Sequence, residues 1–157
     1  WSTRPPDRKG TNGYMRWLSP RWVCPADTAR PWLTVARHAT RSAEQFRKGI
    51  WAHPEVGSVL RLTFPQVPLG ATLEGFAGVP DWPLMLAGVG APPIEIRVSV
   101  AGKVVLDREV PYEAGWKPLL VETGGLGVQD VVVEIRGGPE KETGFMFNLA
   151  VDAPPER

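Results

Sequence analysis

Seventeen glycines and 17 prolines are spread through these 157 residues without a repeating period, and they limit what can form between them. Proline removes a backbone donor and clashes inside a helix, and glycine weakens one. Short segments closed by such residues suit β-strands joined by turns, not long helices. An apolar share of 43% is ordinary for a folded chain. A chain of this length fits one domain and buries about two-thirds of its unfolded surface. The expectation is an all-β domain.

Strand patterns follow one another quickly. Ser58–Phe64 alternates, with Leu60, Leu62 and Phe64 on one face and Arg61 and Thr63 on the other. Ala71–Val79 reads as a strand broken by glycine. Ile94–Val100 alternates cleanly, and Ala101-Gly102-Lys103 turns it into Val104–Val110 as a hairpin. Lys117–Thr123, Gln129–Arg136 and Gly144–Val151 add further strands, Leu33–Ala36 could be the first, and Thr40–Phe46 reads as a helical turn or a loop. Strands at this spacing with no helix between them predict an antiparallel β-sandwich. Its inward set is Leu60, Leu62, Phe64, Ile94, Ile96, Val98, Val100, Val131, Val133, Ile135, Phe145, Phe147 and Leu149. The opposite face carries Arg61, Thr63, Glu95, Arg97, Ser99, Glu134 and Arg136, a solvated surface or a shallow ligand platform.

Residues 1–32 read differently, as an irregular arm rich in turn residues, ahead of a sandwich domain at 33–157. Tyr14, Trp17, Trp22 and Trp32 are expected to anchor the arm on the body, since a free tail rarely carries so many aromatic rings. Charge is divided the same way. Residues 1–54 hold ten Lys/Arg against three acids, a charge of +7, and residues 55–157 hold eight against fourteen, a charge of −6. The basic residues are dispersed among Pro and Trp, which favours pairing with the acidic body over nucleic-acid binding. Cys24 stands alone and forms no internal disulfide. Beginning at Trp1, the chain is expected to be a piece of a longer protein. Its longest apolar run, Pro83–Ile94, is broken by prolines and glycines and too short to span a bilayer.

Catalytic chemistry finds little support. Two histidines, His38 and His53, without a third ligand make zinc improbable. No nucleophile-elbow sequence occurs. Glu140 and Glu142 read as a solvated loop pair and not as a glycosidase dyad, and no Asp-rich run marks a calcium site. No enzyme activity, no cofactor, no metal and no nucleic-acid partner are therefore expected.

Gln45-Phe46-Arg47-Lys48-Gly49-Ile50-Trp51-Ala52-His53-Pro54 opens a run of features extending to Val151. Phe46, Lys48, Gly49, Ile50 and His53 match an aromatic-basic-Gly-Ile-x-x-His pattern. Ala77-Gly78-Val79-Pro80-Asp81, Val98-Ser99-Val100-Ala101-Gly102-Lys103 and Pro118-Leu119-Leu120-Val121 follow in matching order. The whole resembles the NPCBM-type carbohydrate-binding module, a galactose-binding-like jelly roll attached to glycoside hydrolases. Pro54 after the His, Ala101 where the family has Asp, and Phe145-Met146-Phe147-Asn148 in place of a closing Asp-Trp-Ala depart from the pattern. The resemblance implies a jelly-roll sandwich and a non-catalytic, extracytoplasmic recognition domain (periplasmic or on the cell surface of a bacterium) with a glycan as ligand. A membrane tether ahead of Trp1 is compatible with it. The competing reading is a structural or protein-interaction ectodomain of a membrane-anchored bacterial protein. His53 reads as a hydrogen-bonded core residue.

Sugar sites need flat aromatic surface beside a few polar groups. Trp51, Trp82 and Trp116 fall at expected loops or strand ends, Asp81 precedes Trp82, and Arg97 stands on the charged strand face. These five are the candidate ligand-binding residues, with core packing as the alternative for each Trp. The nearly uncharged segment Asp81–Pro93 reads as a loop that either folds back on the core or meets a partner protein, a second copy or lipid through Leu84, Met85 and Leu86.

Overall fold

A computed structural model describes residues 2–4, 21–23, 33–87, 91–138 and 143–152. Within them the fold is an antiparallel β-sandwich of jelly-roll type. The larger sheet holds β1 (Ser2–Arg4), β2 (Arg21–Val23), β3 (Thr34–Ser42), β4 (Gln45–Ala52), β6 (Thr72–Val79), β9 (Gly115–Glu122) and β11 (Phe145–Val151), in the spatial order β1-β2-β3-β4-β11-β6-β9. The smaller holds β5 (Val59–Leu69), β7 (Ile94–Val100), β8 (Lys103–Val110) and β10 (Gly127–Arg136), in the order β5-β10-β7-β8. The chain changes sheet between β4 and β5, β5 and β6, β6 and β7, β8 and β9, β9 and β10, and β10 and β11. Several neighbouring strands, such as β4 and β11 or β5 and β10, are therefore distant in sequence, and the core forms between two faces that each collect segments from along the chain.

Alternation decides which side chains meet there. Ile94, Ile96, Val98 and Val100 of β7, Val131, Val133 and Ile135 of β10, and Phe145 and Phe147 of β11 are all buried in one core with Leu60, as their patterns imply. Leu62, Phe64 and Leu149 also point inward but stay half-buried against it. The β7–β8 hairpin turns at Ala101 (φ 49°) and Gly102 (φ 78°), a two-residue connection with both residues left-handed. The β5 strand runs past Phe64 through Pro65 and Pro68 to Leu69. It is an edge strand, where missing ladder donors are tolerated, and the Asp130 carboxylate accepts the Gln66 N–H at 2.9 Å.

Three expectations are corrected. Thr40–Phe46 is neither a helical turn nor a loop. It is the end of a long β3–β4 hairpin whose two-residue turn, Ala43 and Glu44, has φ of 46° and 66°. Asp81–Pro93 is not all loop, because it opens with a helix, α1 (Asp81–Ala87). Pro83 sits in its first turn, where its missing N–H costs nothing. Residues 1–32 are not wholly irregular, since β1 and β2 extend the larger sheet through pairing of β2 with β3. Thr34 Oγ1 donates to the Trp22 carbonyl at 2.7 Å, while the Trp22 side chain remains 46% exposed. Tyr14, Trp17, Cys24 and Trp32 lie outside the described residues. Among the described residues no helix is long and apolar enough to cross a membrane.

Candidate functional site

The β3–β4 turn organises one end of the molecule. Ser42 Oγ donates to the Val79 carbonyl at 2.6 Å and accepts the Gly115 N–H at 2.8 Å, tying β3 to the end of β6 and the start of β9. Asp81, at the start of α1, accepts the Ala43 N–H at 2.9 Å and the Arg41 Nε–H at 3.0 Å. Its carboxylate holds the strained turn and stabilises the first turn of the helix, where negative charge is favoured. Asp81, expected to hold sugar hydroxyls, thus has both oxygens engaged in folding the turn.

Trp51 is corrected as a ligand residue. On β4 it points to the outer side of the larger sheet, but nothing of it is exposed. Trp82 of α1 stacks on it with ring centroids 5.0 Å apart, and His38 and His53 meet it edge-on at 6.5 and 5.7 Å. The ring lies against Gly144, where an added Cβ would enter the indole. With no surface to offer, Trp51 is the hub of a second, small core with Ala36 and Trp82. Burial lowers the pKa of His38 below its ordinary 6.5. His53 is buried, at 6% exposed.

Trp116 has a different setting. It sits at the start of β9 on the same outer side, half-buried, and its indole N–H donates to the Gln45 carbonyl at 2.9 Å. Phe76 of β6 meets it edge-on at 5.1 Å, and the Arg47 guanidinium from β4 lies 4.8 Å from the centre of the Phe76 ring. A cation over an aromatic face is attracted by the ring quadrupole. Asn148 of β11, in register with Phe76, donates from Nδ2 to the Lys48 carbonyl at 3.2 Å. Lys117, next to Trp116 on β9, faces the opposite way in register with Ala77 and pairs with Glu113 at 2.6 Å. The result is a partly exposed indole of fixed orientation beside an exposed guanidinium.

Arg97 lies on the far side of the molecule, on the outer face of the smaller sheet. Register places Arg61, Glu134, Arg97 and Asp107 in one row across four strands. Arg61 pairs with Glu134 at 2.6 Å and Arg97 with Asp107 at 2.7 Å, while Arg136 pairs with Glu95 at 3.2 Å in the next row. Hydrogen bonding to Asp107, then its charge, raises the Arg97 pKa above its ordinary value. These residues and Val59 line an open groove of about 470 Å³. The charged face expected from alternation is present, with its charges matched in pairs.

Of the exposed-contact residues, Leu84 is corrected: it packs against the main core and offers little outward. Met85 is 79% exposed, and the Leu86 side chain lies outside the described part. Neither Phe76 nor Ser42 stood out in the sequence, and Arg47 and Asn148 did so only as members of motif segments. Phe76 carried a readable signal, lying at the opposite parity to Leu73 and Ala77 on a strand with an inward face.

No protein-family model matches the chain, and neither does any curated protein. Among solved structures it is similar to CBM51 from Clostridium perfringens GH95 in complex with methyl-galactose, at 15% identity and a TM-score of 0.48 over 73% of this chain and 79% of that one. It is also similar to CBM51-2 with INT domains from Clostridium perfringens ZmpB, at 12% identity and a TM-score of 0.47. The same ZmpB domains in complex with GlcNAc give a TM-score of 0.44. The chain spans 26% of each ZmpB structure.

Proposed function

We propose that this domain is a non-catalytic glycan-recognition module, and that it reads sugar on the outer face of the larger sheet around Trp116. The observation that carries the reading is the Trp116 indole itself. Its N–H is tied to Gln45, its edge is held by Phe76, and part of its surface stays accessible beside Arg47. A pyranose has an apolar face that stacks on such a ring, and its hydroxyls accept from guanidinium donors. A ring already held in place loses little freedom on binding, which favours affinity. The NPCBM-type features in the sequence point to the same ligand class. Trp82 borders the surface through its stack on Trp51, and Arg97 belongs to a separate, charge-matched face. An extracytoplasmic setting follows from the same reading.

A glycan array probed with the purified domain, followed by tryptophan-fluorescence titration of any hit, tests this. Saturable binding to a sugar, with quenching lost in Trp116→Phe, supports it. Failure to retain any glycan leaves the sandwich as a scaffold or protein-interaction ectodomain.

A further inference from the structure

The strands β4 and β11 pair over only three residues, Ala52 with Phe145, Trp51 with Met146 and Ile50 with Phe147. From Gly49 back to Gln45, β4 continues against β3, whereas from Asn148 onward β11 continues against β6. The larger sheet therefore splits along half its height, bridged there by the Asn148 side chain on the Lys48 carbonyl. Beneath the split, between the sheets, lies a cavity of about 150 Å³ lined by nine apolar side chains. Ile50, Phe64, Val67, Leu149 and Val151 form its rim and are only half-buried, so it reaches the surface. Phe46, on the same side of β4 as Ile50 by alternation, is 68% exposed.

We propose that this cavity is a binding site for an uncharged hydrocarbon group, either an alkyl segment or a small aromatic ring. No lining side chain is polar, so water finds few hydrogen-bond partners there and gains little by entering. Enclosed cavities of roughly this size with Leu, Ile and Phe walls take benzene or xenon, and this cavity offers the same kind of wall through an open rim. A sugar is excluded, because its hydroxyls would lose their partners on entry, and a charged group more so. The outer face of the smaller sheet carries paired charges, and this interior offers the opposite chemistry. The inference stands independently of the sugar reading.

Methyl-resolved NMR of the intact chain, titrated with benzene and separately with n-hexanol, is the test. The expected result is saturable shifts at the Val67, Leu73, Val131, Leu149 and Val151 methyls, with Val110 and Met85 unmoved. Val131→Phe fills the floor and should remove those shifts. Val67→Phe does the same from the half-exposed rim, where a larger ring is easily accommodated and the fold is retained. An octyl glycoside that moves these methyls where the methyl glycoside does not assigns the group to the tail of an amphiphile. Benzene acting where the octyl glycoside does not assigns it to a free small molecule. Absence of saturable shifts with every probe, or shifts that persist in Val67→Phe, overturns the proposal.

Discussion

Trp82 lies stacked on Trp51, with centroids 5.0 Å apart and planes 28° from parallel. The first comes from α1 and the second from β4, so one aromatic pair fastens the helix to the outer side of the larger sheet. Both rings carry the surface expected of a sugar platform, and the stack turns that surface on itself. Trp51→Ala should cost about 3–5 kcal/mol of stability, as large aromatic truncations in a core do. Trp82→Ala should cost less, because its own ring is half-buried. Chemical denaturation of both variants checks the order; a Trp51 variant as stable as wild type would mean that the small core contributes nothing.

Ser42 is the polar counterpart of that stack. Its hydroxyl both donates and accepts across three strands while buried, so Ser42→Ala removes one hydrogen bond from the Val79 carbonyl and one from the Gly115 N–H. The loss should be about 1–3 kcal/mol. Asp81→Ala should loosen the same turn and weaken amide protection at Ala43 in hydrogen exchange, with β7 and β8 unaffected.

The β7–β8 hairpin was legible in the sequence and the β3–β4 hairpin was not, for a physical reason. Ile94–Val100 alternates over a buried face, and Gly102 marks its turn locally. Arg37-His38-Ala39-Thr40 has no such alternation, and Ala43-Glu44 is an unfavoured pair for a left-handed turn. Anchors far along the chain, Asp81, Val79 and Gly115, make that turn possible. The same distance effect divides the tryptophans. Trp51 and Trp116 look alike locally, but Gly144, Ala36 and Trp82 bury the first while Gln45 and Phe76 leave the second partly open. The fold could therefore be read from alternation, whereas the site depended on pairings such as Arg47 with Phe76 that no local pattern encodes.

Ala101 carries a left-handed φ of 49° at the β7–β8 turn. That conformation costs an alanine about 1–2 kcal/mol and suits Asn better. Ala101→Asn should raise the melting temperature, and Ala101→Val should lower it. A fall in both variants would mean that the turn does not hold this geometry.

Stability should depend on pH through two half-buried groups. His38 has a lowered pKa, so its contribution is present above 6.5 and is lost as pH falls below that value. Acidification from pH 7.5 to 5 should then destabilise the wild type more than His38→Gln. Burial pushes the Tyr112 pKa up to about 12 from 10.0, so the contribution of its neutral phenol is present below 10 and is lost as pH rises toward 12. The melting temperature of Tyr112→Phe relative to wild type should rise across that window and stay level below it.

The central claim places sugar recognition at Trp116 and not on the charged face, and binding isotherms of three variants test it most directly. Binding of one array-identified glycan should be lost in Trp116→Ala, weakened in Arg47→Ala and unchanged in Arg97→Ala, with all three variants folded by circular dichroism. Binding that survives Trp116→Ala and disappears in Arg97→Ala would contradict the account and move the site to the Arg61–Glu134–Arg97–Asp107 row.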